Sequence, residues 1–217
     1  MRRRLPVAAA HPLGEPVTYA PCGCLTDVLT VVIGAPAVGK STVGRLLAQA
    51  TSRPFVDADE RADRWYASVG WSTERLWDRA RQVGFERAHQ EWEVALAIAV
   101  EGLVGEYGDA VLALGAGHSH VTTPGLFGRV ARALGQAQQV VLLRPDYDVD
   151  EAHRELRSRC AQAKGHTWEI DGVDWLYRWL TDGLDERLAT DVVITDGCTP
   201  QDVAVRIAAL PQHGAAP

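Results

Sequence analysis

The stretch "VVIGAPAVGKSTVGRLLA", Val31 to Ala48, constrains this chain more than any other. It begins as a continuous apolar run, the pattern of a short strand buried on both faces. It continues into a helix, with Val43, Leu46, Leu47 and Ala50 at helical spacing. Between the two stands Gly34-x-x-x-x-Gly39-Lys40-Ser41, the spacing of a phosphate-binding loop. Glycines there let the backbone curl until successive N–H groups converge on an anion. The helix that follows adds its positive dipole end. Gly34, Ala35, Pro36, Ala37, Val38 and Gly39 therefore form the expected nucleotide cradle, with Lys40, Ser41 and Thr42 opening the helix. Lys40 reaches for the β- and γ-phosphates, and Ser41 supplies a hydroxyl to Mg²⁺.

The rest of the chain repeats the alternation. Apolar strands are expected at Val28 to Ile33, Pro54 to Asp57, Ala110 to Gly117, Gln139 to Arg144 and Asp191 to Thr195. Helices are expected at Ser41 to Ala50, from Thr73 to about Glu106 with a break near Gly84, after Thr123-Pro124, from Val149 to about Cys160, and from Thr199-Pro200 to about Leu210. Apolar strands separated by helices imply an α/β architecture: five parallel strands covered on both faces, in three layers. Ligands in such sheets lie beyond the carboxyl ends of the strands. Residues 1–27, proline-rich and without periodicity, read as a disordered leader; 28–210 form one domain and 211–217 a tail. Cys22 and Cys24 are close enough to share a metal, but no second pair at zinc spacing accompanies them. No apolar run reaches the ~18 residues of a membrane span, and a cytoplasmic location is expected. A net charge of −6 disfavours nucleic acid as a partner.

The loop alone does not separate kinases from other nucleotide hydrolases. No Asn-Lys-x-Asp guanine signature is present, and Asp146 lies too far past its strand to serve a motor ATPase. Acids instead follow the second strand in "FVDADE". Asp57 and Asp59 both stand where they could face the ligand crevice: one for the magnesium shell, one to orient or deprotonate a hydroxyl. A solvated turn with a helix cap is the plainer alternative.

"IGAPAVGKSTVGRLLAQATSRPFVDADERAD" is similar to the opening of shikimate kinases and related small P-loop kinases. "VLALGAG" resembles their strand and glycine turn, "VVLLRPDYDVDEAHRELRSR" the approach to an arginine-bearing lid, and "LATDVVITDGCTPQDVAVRI" the closing strand and adenine-side loop. The resemblance implies a P-loop fold with a mobile lid at about 157–172. It implies transfer of the γ-phosphoryl group of ATP, with Mg²⁺, to a hydroxyl of a small molecule. By position, Asp57 joins Ser41 around magnesium and Asp59 grips the acceptor hydroxyl. Gly115, Ala116 and Gly117 form a substrate-side wall. Arg157 and Arg159 are the lid cations, with Arg154 a further candidate, and Thr199 and Pro200 lie on the adenine side. A solvated helix face explains the arginines equally well.

The chain departs from that family on the acceptor side. The family's substrate arginine on the long helix has only an offset counterpart, Arg87, which an ion pair to Glu91 explains as well. The glycine turn reads "GAGHSH", bringing His118 and His120 to the acceptor side, where they could bind a polar group or remain surface histidines. Arg178 is merely near the family's second substrate arginine. Seven tryptophans cluster in the two acceptor-shaping segments. Aromatic surface suits a ring-bearing acceptor such as a nucleoside, aminocyclitol, sugar or antibiotic, larger or less anionic than shikimate. Two alternatives remain: a nucleotide-binding module with weak or lost catalysis, and a nucleic-acid-end kinase, which the acidic charge opposes.

Overall fold

β1 (Leu29–Ile33), buried along its whole length, sits at the centre of a five-stranded sheet in the computed structural model, which describes residues 28–213. The other strands are β2 (Phe55–Asp57), β3 (Ala110–Ala113), β4 (Gln139–Arg144) and β7 (Asp191–Ile194), in spatial order β2-β3-β1-β4-β7. Every pairing in this sheet is parallel. The proline-rich leader and the Cys22–Cys24 pair lie outside the described residues, as do residues 214–217 of the tail.

Alternation along β1 decides which layer each side chain enters. Leu29, Val31 and Ile33 face a core completed by α5 (Phe85–Glu106) and α6 (Pro124–Leu134). Val32 faces the opposite core, completed by α1 (Lys40–Thr51), α7 (Val149–Lys164) and α10 (Pro200–Ala208). A strand buried on both faces favours apolar residues nearly throughout, with Thr30 the polar exception in β1, which is why it was legible as a run.

Four elements lie between β2 and β3: α2 (Ala58–Arg61), α3 (Asp63–Ser68), α4 (Thr73–Val83) and α5. The expected break falls at Gly84, whose φ of 83° ends α4. Glu93 of α5 is fully buried and accepts from the Thr122 and Thr123 N–H groups at 2.7 and 2.9 Å, fixing the entry to α6.

The segment 157–172 is where sequence and structure differ most. It is helical to Lys164 and then enters a two-stranded hairpin, β5 (Glu169–Ile170) and β6 (Val173–Asp174). α8 (Trp175–Thr181) and α9 (Leu184–Leu188) follow. The Asp171 carboxylate at the hairpin turn accepts from the Phe85 N–H at 2.7 Å, capping α5. A small third core of Leu76, Phe85, Ala88, Trp175 and Trp179 ties α8 to α4 and α5. β3 also ends earlier than expected, at Ala113, because the glycine turn tightens into a single 3₁₀ turn at Ala116–His118.

Candidate active site

The loop after β1 has the geometry its glycines foretell. Gly34 has φ 134°, and a Cβ there would stand 2.6 Å from the Leu143 carbonyl of β4. Gly39, at φ 103°, precedes α1, so no side chain caps the helix and its first N–H groups stay available to a ligand. Ala37 also lies in the left-handed region, at φ 60°, the alternation that turns N–H groups into an anion nest. Lys40 Nζ donates to the Gly34 and Ala35 carbonyls at 2.7 and 2.9 Å, drawn back across the loop. Pro36, Ala37, Gly39, Lys40, Ser41 and Thr42 line a cavity of about 720 Å³. Ala35 and Val38 turn their side chains into the core, leaving only backbone for a ligand. The loop's shape and the Ser41 hydroxyl on the cavity wall fit nucleotide phosphates with Mg²⁺.

The two acids separate. Asp57 is the N-cap of α2 and accepts from the Asp59 N–H at 3.2 Å, so the helix-cap alternative holds for it; it does not reach the cavity wall. Asp59 does line the cavity. Its Oδ1 packs so tightly on Gly115 that a Cβ at that glycine would lie 2.1 Å away. Gly115, Ala116 and Gly117 line the same cavity.

His118 also lines the cavity, but both its nitrogens are engaged. Nδ1 sits 3.2 Å from the Gly115 carbonyl, so it carries the proton and donates. Nε2 then accepts from the Tyr66 hydroxyl at 2.8 Å. Burial pushes the imidazole pKa down despite the nearby Asp59 carboxylate. Burial, then Asp59 and Asp63, pushes the Tyr66 phenol up. The chain Tyr66–His118–Gly115 is therefore neutral at pH 7 and acts as a brace.

His120 corrects the expectation that both histidines face the acceptor. It is buried away from the cavity, with Nδ1 2.9 Å from Asp182 and Nε2 3.3 Å from Asp185, under the Trp179 ring. Burial alone would lower its pKa, but the Asp185 and Asp182 carboxylates outweigh it and hold it at about 9. Its partners lie on α8 and α9, so it ties the glycine turn to the far end of the chain.

The arginines divide likewise. Arg159 lines the cavity beside Gln162, and the neighbouring Cys160 thiol approaches the Pro36 carbonyl at 3.9 Å, which sets this part of α7 against the loop. Arg157 instead holds the hairpin, through Glu169 and Asp174, each at 3.0 Å. Arg154 pairs with Glu151. Arg87 pairs with Glu91 at 3.1 Å and Arg178 with Glu86 at 2.8 Å; neither lines the cavity. Their places outside the cavity correct both as expected substrate cations; the ion pair alone does not divide the arginines, since Arg159 also pairs with Glu155. Thr199 and Pro200 open α10 at the end of β7, where Thr199 and Asp202 form a capping box.

Sequence reading underweighted His89. It lines the cavity at 6% exposure, with Phe85 and Trp175 against its ring. Burial pushes it down to about 4. The signal was present: Phe85, His89, Trp92 and Leu96 fall on one face of α5, and His89 is the lone polar member.

The sequence model of the shikimate kinase family matches residues 36–153. A curated shikimate kinase of Streptomyces coelicolor is 31% identical over 180 residues, covering 81% of this chain and 90% of its own length. Among solved structures, shikimate kinase from Acinetobacter baumannii in complex with shikimate superposes with a TM-score of 0.61 at 21% identity, over 84% of this chain and 92% of that one. The Aquifex aeolicus shikimate kinase superposes at 0.54 and 18% identity, over 83% and 94%. These likenesses place the sheet order and the loop in one fold, and by sequence the chain belongs to the shikimate kinase family of small-molecule kinases.

Proposed function

We propose that this protein transfers the γ-phosphoryl group of ATP to a hydroxyl of a small molecule other than shikimate, in a Mg²⁺-dependent reaction. One observation carries the reading: a single cavity holds the phosphate loop, Asp59 and the glycine turn together.

The roles follow from that arrangement. Lys40 and the uncapped N–H groups of α1 bind the β- and γ-phosphate oxygens. Ser41 is the residue that would hold Mg²⁺, which when bound draws charge from those oxygens. Thr199 and Pro200 take the adenine side. Asp59 accepts a hydrogen bond from the acceptor hydroxyl and points its oxygen at the γ-phosphorus. It takes the hydroxyl proton as the new P–O bond forms and the bond to the β-phosphate oxygen breaks. Arg159 neutralises charge on the phosphoryl group in flight, a role worth ~10³–10⁵ in rate where an arginine performs it. The partner is a small molecule, not nucleic acid.

The test is ADP release with Mg·ATP across neutral, anionic and cationic alcohols, with Lys40→Ala alongside. Acceptor-stimulated release that the substitution lowers at least ~10²-fold is expected, the scale for losing a phosphate-charge stabiliser. ATP binding without stimulation by any alcohol would overturn the reading in favour of a non-catalytic nucleotide-binding module.

A further inference from the structure

The acceptor half of the cavity has an unusual wall for a family named for a carboxylate-bearing substrate. Tyr66, Trp77, Phe85, Trp92, Trp168 and Trp179 all line it. The rings brace one another: Tyr66 meets Trp92 edge-on at 5.2 Å, Trp77 stacks on Phe85 at 5.3 Å, and Trp168 meets Trp179 at 5.0 Å. Among the described residues, the cavity's cations are Lys40, on the phosphate loop, and Arg159, on the part of α7 set against that loop. No arginine or lysine of α4, α5 or α8 lines it. The charged group nearest the glycine turn is Asp59, itself an anion. A carboxylate placed there would lose its water, gain no cation and face a like charge.

The wall does offer a neutral hydrogen-bonding group. The His89 side chain makes no hydrogen bond among the described residues, and its Nε2 stands 3.6 Å from where a Gly117 Cβ would be, facing the glycine turn. Its depressed pKa keeps it neutral, so it can donate or accept. A buried polar group that its own fold leaves unpaired selects a ligand that satisfies it.

We infer that the acceptor is an uncharged, ring-bearing alcohol held between aromatic faces, with His89 pairing a second polar group on the ring and setting specificity. The inference rests on the kinase reading for the site but concerns binding, so the two can fail separately.

The experiment titrates the full chain, loaded with Mg²⁺ and a non-hydrolysable ATP analogue, and follows tryptophan fluorescence. The ligands are shikimate, its neutral methyl ester, an amino-substituted cyclitol, and neutral aromatic and nucleoside alcohols. At least one neutral ring alcohol should bind at least tenfold more tightly than both shikimate and the aminocyclitol. His89→Phe should weaken that ligand at least tenfold and leave the ATP analogue's affinity within twofold, while His89→Gln recovers part of the loss. The intact nucleotide affinity shows that each variant is folded. Shikimate or the aminocyclitol binding as tightly as every neutral alcohol would overturn the inference, as would no neutral alcohol binding or an indifferent His89→Phe. Neutral binding without phosphoryl transfer would overturn the kinase reading alone. Efficient phosphorylation of shikimate in preference to the neutral alcohols would support a kinase and sink this inference.

Discussion

Gly115→Ala tests whether Asp59 works from where it stands. The glycine has φ −63° and ψ 148°, so alanine fits the backbone without strain and the whole effect is steric. The new Cβ would lie 2.1 Å from Asp59 Oδ1 and 2.9 Å from His118 Nδ1. A carbon and an oxygen ordinarily approach to about 3.3 Å, so the carboxylate must retreat by about 1 Å. His118 cannot give way freely, because Tyr66 and the Gly115 carbonyl hold both its nitrogens. A displacement of that size at a positioned catalytic group costs on the order of 10²-fold in rate, or about 2.7 kcal/mol of barrier. The assay is acceptor-dependent ADP release, read as kcat/KM, beside the dissociation constant for ATP. A fall of ~100-fold in kcat/KM with ATP affinity unchanged is expected. Gly125→Ala is the control: it lies in α6, its Cβ would meet nothing within 4 Å, and it should leave activity unaltered. If Gly115→Ala keeps kcat/KM within about threefold of the parent, Asp59 is not the group that aligns the acceptor, and the 10²-fold argument falls.

Three further outcomes follow from the same geometry. His120 titrates at about 9 when folded against an ordinary 6.5, so its stabilisation is complete below 6.5 and is lost as pH rises through 9; at about 1.4 kcal/mol per pH unit this amounts to about 3 kcal/mol, and denaturant melts of the parent and His120→Asn should show the slope only in the parent. Arg159→Ala should lower kcat by at least ~10³-fold, whereas Arg157→Ala, which loses only hairpin contacts, should shift the melting temperature slightly and keep kcat within about tenfold; equal effects on kcat in steady-state assays would contradict the division. Glu93→Ala strips the Thr122 and Thr123 N–H groups of their buried acceptor, and should cost about 3 kcal/mol in denaturant unfolding; a cost under about 1 kcal/mol would mean water satisfies them.

The parallel sheet was legible because its three central strands, β3, β1 and β4, are covered on both faces and so read as nearly continuous apolar runs. The phosphate loop was legible because its function is carried by backbone, and backbone of that shape demands particular glycines: Gly34 would collide with β4 if it bore a side chain. The hairpin at Glu169–Asp174 was not legible, because strands two residues long carry no periodicity. Arg157 and Arg159 stand two apart on a helix and so point roughly 200° apart. Sequence offered both as lid cations without choosing between them, and only the crossing of α7 over the loop shows which one enters the cavity. His120 was misplaced for a related reason: Asp182, which holds it inward, is 62 residues further along the chain.

That contrast explains why the two halves of the cavity differ in how far the family's pattern carries. The phosphate half is fixed by one local segment, and any change in its glycines costs the loop its shape. The acceptor half is assembled from α3, α4, α5, the 3₁₀ turn, α7 and α8, each giving between one and four residues. Part of that wall rests on the small core of Leu76, Phe85, Ala88, Trp175 and Trp179, so positions there can be exchanged with less disturbance to the sheet than Tyr66 or Leu96, which belong to a main core. An arginine can therefore leave such a wall only together with the charge it matched: a cavity that lost its cations but still took an anion would carry an unpaired buried charge at every turnover. Arg87 and Arg178 are answered by Glu91 and Glu86 on the outer surface, and the cavity they do not enter is closed by rings. With the neutral acceptor inferred above, charge would be absent from both sides of the acceptor interface, and that coupling would make the net charge of the acceptor, rather than its size, the property the wall selects.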